Sequence, residues 1–241
     1  MIIDSNTIII AQQIFIMNNI LSKVVFDVKE STYVKDPQTS ELGNRILESS
    51  IDLINEIGFD SFTFRKLAQS IKSVEASIYR YFESKHKLLL YLTTWYWSFT
   101  EYRLEFTLAN VEAPEDRLKR AIHLLTSEIE EGFSGLNIDV IKLSNIVIIE
   151  SSKAYLTKDV DQENEAGIFL GYKHLVERVG AIVLEINPEF KYPNMLISTV
   201  IEGAHNQRFF AEHLPRLTNQ VKGEDAICEF YQKMVFKTIS K

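Results

Sequence analysis

Between Ser40 and Phe82 apolar residues recur at three- and four-residue steps, but the pattern is interrupted twice within about fifteen residues. A chain patterned this way folds into short helices joined by tight turns. Leu47, Ile51 and Ile54, flanked by Ile46, Ser50 and Ile57, predict a helix over 42–57, with Gly58 as a left-handed cap. Thr63 stands at an N-cap position before Phe64, Leu67, Ala68 and Ile71, and Phe62 and Leu67 are spaced for a hydrophobic staple across it. A second helix is therefore expected over 64–71. After only Lys72 and Ser73 the stripe restarts with Val74, Ile78 and Phe82, predicting a third helix over 74–81 that ends at Glu83-Ser84-Lys85.

The remainder points to the same class. Nine Gly and five Pro in 241 residues leave long uninterrupted stretches, and Gly and Pro divide the C-terminal part into helices near 86–109, 115–131, 137–153, 163–186, 193–213 and 222–239. An all-α fold is expected, a three-helix N-terminal domain followed by a helical bundle. A single cysteine, Cys228, closes no intramolecular disulfide, and the cytosol is the compartment that fits. The longest apolar run, Ile8 to Met17, is broken by Gln12 and Gln13 and is too short to span a bilayer, so no membrane partner is expected.

The net charge of −7 argues weakly against a polyanionic partner until its distribution is considered. The acidity lies mainly in the C-terminal part. Between Arg65 and Leu90, Arg65, Lys66, Lys72, Arg80, Lys85 and Lys87 face only Glu75 and Glu83. Two short helices with a tight turn, apolar on one side and basic on the other, meet the needs of a helix-turn-helix that enters a major groove. A helical hairpin in an all-α core fits the periodicity equally well, and the charge window favours DNA.

Residues 1–40 read as an N-terminal arm. Val24, Val25, Phe26, Val28, Tyr33 and Val34 favour extended backbone, and Asp36-Pro37 disfavours helix. The Ile- and Asn-rich run before Met17 lacks clear periodicity, which suggests that the native chain starts at or near Met17.

The run from Arg45 through Gly58-Phe59 and Thr63 to Leu67-Ala68, followed by Ser77-Ile-Tyr-Arg-Tyr-Phe-Glu-Ser-Lys-His-Lys-Leu-Leu, resembles the DNA-binding domain of TetR-type regulators. The resemblance covers about 45–92. It implies a DNA-binding domain over 41–92 and an effector-binding, dimerising helical domain over 93–241. It also implies that Thr63, Tyr79, Tyr81 and Lys85 hold phosphates, through a helix N-terminus, phenol hydroxyls and a charge, and that Ala76, Ser77 and Arg80 lie near base edges. Arg80 has guanine, a phosphate or a nearby acid as alternatives. The sequence departs from the family pattern at the turn, where Lys72 stands in place of the usual Gly and would be strained if left-handed or balanced by a phosphate. Glu75 is a further departure, with cytosine N4 or the helix dipole as its partner.

In the C-terminal part, Trp95, Tyr96, Trp97, Phe99, Tyr102 and Phe106 exceed what one helix face can hold, so burial on two sides is expected. Trp95, Phe99, Tyr102, His123 and Tyr172 are candidate lining of an effector pocket, with core packing as the competing reading. Leu170, Ile197, Ile201 and His205, near the small residues Gly171, Gly203 and Ala204, are candidates for a four-helix dimer interface of the kind the resemblance implies. Glu202-x-x-His205 has the spacing of a di-iron ligand pair, but its only companion, Glu83-x-x-His86, falls at the helix-turn-helix boundary. No nucleotide-binding glycine loop, nucleophile elbow or cysteine cluster occurs, so neither cofactor nor metal is expected.

The expectation is a homodimeric, ligand-responsive repressor that binds an inverted-repeat DNA operator and is not an enzyme. A ferritin-like di-iron oxidase and a helical protein-interaction module are the alternatives.

Overall fold

The computed structural model describes residues 26, 28–129 and 137–240. Among them are eleven α-helices and no strand: α1 Glu41–Ser61, α2 Phe64–Ser70, α3 Glu75–Tyr79, α4 Lys85–Leu108, α5 Pro114–Thr126, α6 Val140–Glu150, α7 Ser152–Tyr155, α8 Val160–Glu165, α9 Leu170–Ile186, α10 Pro193–His213 and α11 Ala226–Ile239. The run before Met17, and Val24 and Val25, lie outside the described residues. No helix among those described is long and apolar enough to cross a membrane.

The chain divides into two compact units, Met1–Tyr96 with Ile129–Ala154, and Trp97–Glu128 with Tyr155–Lys241. The first unit is built on α1. Ser40 caps it by accepting the Gly43 N–H at 3.2 Å, and Ile46, Leu47, Ile51 and Ile54 bury the predicted stripe. At Gly58 the backbone takes φ 74° and ψ 155°, an extended region open essentially to glycine alone, instead of the left-handed helical cap anticipated. The chain turns there and starts α2 from Thr63. Phe62, Leu67, Ile78, Phe82, Leu88 and Leu89 are fully buried, which makes each truncation to Ala worth about 2–5 kcal/mol.

The described part of the arm before α1 packs on this unit. It contains two short 3₁₀ turns, Glu30–Thr32, where extended backbone was expected, and Pro37–Thr39. Phe26 meets the edge of Trp95 at 4.8 Å, Tyr33 meets Tyr91 at 6.0 Å, and the Val34 N–H donates to the Tyr81 carbonyl at 2.8 Å. Pro37 crosses so near α1 that a Cβ on Gly43 would stand 2.1 Å from its carbonyl oxygen. Glycine at 43 is thus required by the arm.

Helix α6 also belongs to the first unit, although it follows α5 in sequence. Glu150 accepts the Phe59 N–H at 3.1 Å, and Lys153 pairs with Glu150 at 2.7 Å and Asp60 at 2.9 Å, so the bend after Gly58 is held from this side. The Asn55 side-chain amide donates to the Lys142 carbonyl at 3.0 Å, while the Lys142 ammonium pairs with Asp52 at 2.6 Å.

In the second unit α9 and α10 pack on each other and on α5, with Leu175, Val179, Val183, Ile197, Val200 and Ile201 inside. The helix expected over 163–186 is split by Gly167 at φ 77°, giving α8 and α9. Gly203 admits Tyr231 of α11: a Cβ there would fall 2.2 Å from the phenol oxygen. Arg208 donates to the Thr126 carbonyl, at 2.7 Å through Nη2, and reaches Asp225 at 2.5 Å, closing the end of α5.

Candidate nucleic-acid interface

α2 and α3 are joined by a turn held at three points. The Ser73 N–H donates to the Ala68 carbonyl at 2.8 Å, the Lys72 N–H donates to the Gln69 carbonyl at 3.2 Å, and Arg45 of α1 reaches the Ile71 carbonyl with its guanidinium. Lys72 itself takes φ 53°. The turn therefore keeps a geometry that suits glycine and imposes it on a lysine. Beyond it, Ile78 and Phe82 point into the core, while Lys72, Ala76, Tyr79 and Arg80 are exposed and Glu75 and Ser77 are partly so. Among the described residues, the side chains of Arg65, Lys72, Arg80 and Lys87 make no ion pair or hydrogen bond with the protein. Tyr79 packs its ring edge-on against Phe64 at 5.1 Å and is 49% exposed. Thr63 accepts the Lys66 N–H at 3.3 Å as the N-cap of α2.

Three expectations are revised here. Tyr81 is only 4% exposed, and its hydroxyl is paired with Ser40 at 2.8 Å while Lys35 lies over its ring, so it anchors the arm instead of facing a phosphate. Lys85 directs its ammonium at the carbonyls of Phe59, Asp60 and Phe62, at 3.0, 3.2 and 3.2 Å, which occupies all three of its protons. It caps the end of α1. Val74, placed by periodicity in the buried stripe with Ile78 and Phe82, is 66% exposed. It precedes α3 with extended backbone, φ −100° and ψ 145°, so the helical i, i+4 face does not include it.

The candidate effector residues have different immediate neighbours. Trp95 is buried in the first unit against Phe26; Phe99 is fully buried with Arg103 over its ring; Tyr102 packs on Phe106. His123 is exposed at the end of α5, beside the Ser127 hydroxyl at 3.2 Å. Tyr172 joins a polar cluster. Its ring stacks on Trp97 at 4.2 Å, and its hydroxyl and that of Tyr155 both donate to Glu202 Oε1 at 2.8 Å. Burial, then the charge of Glu202, raises the Tyr172 phenol well above the ordinary range. One turn on, His205 is buried and stacks on Trp97 at 6.0 Å; burial depresses its pKa to about 4, against the opposing pull of Glu202, so the ring is neutral. Glu202 accepts from Tyr155 and Tyr172, whereas His205 stacks on Trp97.

The dimer candidates are revised likewise. Ile197 and Ile201 are fully buried and His205 nearly so, on a helix that packs on α5, α9 and α11. Leu170 is the exposed member, and Leu184 of α9 and Met195 of α10 are further exposed apolar side chains. Gly203 accommodates Tyr231 of the same chain, so its small size is explained without a partner.

Residues 46–92, which span α1 to the first turns of α4, match the family profile described as bacterial regulatory proteins, tetR family. Over these residues the chain is similar to the TetR family. Solved structures of the same fold span most of its length. A complex of AibR with isovaleryl coenzyme A and operator DNA is 15% identical, with a TM-score of 0.55, covering 84% of this chain and 97% of that one. The fatty acid degradation regulator FadR from Bacillus halodurans is 16% identical, with a TM-score of 0.56 and coverage of 82% and 97%. PfiT, described as a superantigen, is 14% identical, with a TM-score of 0.54 and coverage of 84% and 97%. No curated protein matches the sequence. Val74, Arg45 and the Lys85 cap escaped sequence reasoning: the first because its backbone leaves the helix, the others because their partners are carbonyls distant in sequence.

Proposed function

We propose that the protein is a homodimeric, ligand-responsive transcriptional repressor whose α3 enters the major groove of an inverted-repeat operator. The observation that carries this reading is the surface of the turn and α3. In a chain of net charge −7, the side chains of Arg65, Lys72, Arg80 and Lys87 have no ion-pair or hydrogen-bond partner among the described residues, and Ala76, Tyr79 and Arg80 of the turn and α3 surface are exposed. Phosphates supply the missing partners. Thr63 at the α2 N-terminus, the Tyr79 hydroxyl, Lys72 and Arg80 position the duplex, while Ala76, Ser77 and Glu75 face base edges. Tyr81 and Lys85 act indirectly by fixing the arm and the end of α1.

A dimer would present two α3 helices about one duplex turn apart, as an inverted repeat demands. Leu170, Leu184 and Met195 are exposed apolar groups suited to a contact between copies. The effector would bind in the second unit near Tyr155, Tyr172 and Glu202, and would act by binding one α3 spacing more tightly than the other. That AibR has been solved with both operator DNA and an acyl-coenzyme A supports a ligand-responsive reading without naming the ligand for this chain.

The test is fluorescence anisotropy of the full chain on duplexes enriched from a random pool, over a range of salt concentrations. Specific binding whose logarithm falls linearly with the logarithm of salt is expected, with a slope of about −0.9 for each phosphate neutralised. Binding that is absent or insensitive to salt would overturn the reading.

A further inference from the structure

Val74 is a large apolar side chain held out in solvent by a backbone fixed on both sides. Before it, the left-handed Lys72 and the Ser73 N–H bonded to the Ala68 carbonyl set the chain direction; after it, the Val74 carbonyl accepts the Ser77 N–H at 2.9 Å. The side chain is β-branched, with little rotamer freedom to lose on contact. It is 66% exposed, whereas Ile78 four residues later is fully buried, so the core has no use for it. Its neighbours on this surface are Lys72 and the first turn of α3, and Arg80 stands at the other end of that helix.

An apolar group here would be costly to leave wet in a bound complex, and the major groove offers one apolar group on its base edges, the C5 methyl of thymine. We propose that Val74 packs on a thymine methyl, and that each half-site therefore carries a thymine at the base pair facing the start of α3. This rests on the DNA-binding reading above and adds a base preference to it. Lys72 and Arg80 set the register on the backbone, and Val74 selects by burying a methyl.

The experiment uses the full chain and its tightest-binding duplex from the random pool. Thymines are replaced singly by deoxyuridine, which removes the C5 methyl and nothing else. One thymine in each half-site is expected to cost about fourfold in affinity when replaced, the worth of one buried methyl-sized group. The V74A variant, altered at an exposed site and expected to melt with the wild type, is expected to bind the thymine and deoxyuridine duplexes equally. The proposal is overturned if no single replacement weakens the wild type, or if V74A keeps the penalty. Salt-dependent binding without any methyl effect removes this proposal and leaves the DNA-binding reading intact. Absence of salt-dependent binding to any duplex removes both.

Discussion

Replacing Lys72 with glycine separates two contributions that meet in one residue. The backbone at this position has φ 53°, where an L-residue crowds its Cβ against the carbonyl at a cost of about 1–2 kcal/mol. Glycine removes that strain but loosens the unfolded chain, which offsets about 0.4–1 kcal/mol. The balance is a stabilisation of about 0.5–1 kcal/mol, or roughly 1–4 °C in melting temperature for a protein of this size. K72A keeps the Cβ and is expected to melt with the wild type. Asparagine, which tolerates this backbone region better than lysine, is expected to fall between. DNA binding should follow a different order, because the ammonium has no partner among the described residues and is assigned to a phosphate. All three variants lose the charge, so all three should bind more weakly to every sequence, with a salt slope shallower by about one unit. Calorimetry and salt titration of the four proteins read the two orders independently. A K72G protein no more stable than K72A would refute the strain argument, and an unchanged salt slope would refute the phosphate assignment.

Other perturbations follow from the same geometry. Y81F removes the hydroxyl paired with Ser40 and is expected to destabilise by about 1 kcal/mol in denaturant titration with the salt slope unchanged, whereas Y79F should leave stability alone and weaken DNA binding. K85A strips three carbonyls of their shared donor and is expected to lower stability by about 1–3 kcal/mol; a large change in salt slope with no change in stability would return Lys85 to the DNA surface. His205 titrates near 6.5 when unfolded and at about 4 when folded, so the unfolded chain binds the extra proton between those values. Stability from this group is complete above about pH 6.5 and falls as the pH drops towards 4, by about 3 kcal/mol in all. H205N should flatten that part of the stability–pH profile, and an unaltered profile would show that another group is responsible.

Much of the fold was legible because helix periodicity and punctuation are local. The Ser40 and Thr63 boundaries follow from capping chemistry, Gly58 marks a break in α1 without being the left-handed cap expected, and five of the six C-terminal segments expected correspond to helices with ends shifted by a few residues, α6 and α7 together answering to one of them. The segment over 163–186 was misjudged because a single Gly167 at positive φ divides it. Site residues were harder to place, because facing outwards is a property of the packed chain. Tyr79 and Tyr81 are two residues apart and look interchangeable, yet one lies on the solvent side of α3 and the other beneath the arm. Lys85 has the sequence position of a phosphate ligand and the surroundings of a helix cap. The Tyr155–Glu202–Tyr172 cluster draws on three helices separated by long stretches of chain, so no spacing could have announced it.

The most direct test of groove entry by α3 is methylation interference at guanine N7, a major-groove atom, on the tightest-binding duplex. Two patches of interference are expected on one face of the DNA, with centres about 10–10.5 base pairs apart or a multiple of that, each lost when α3 is altered by the Ser77→Arg substitution. Tight binding that survives N7 methylation at every guanine across the site would contradict the placement of α3 in the groove.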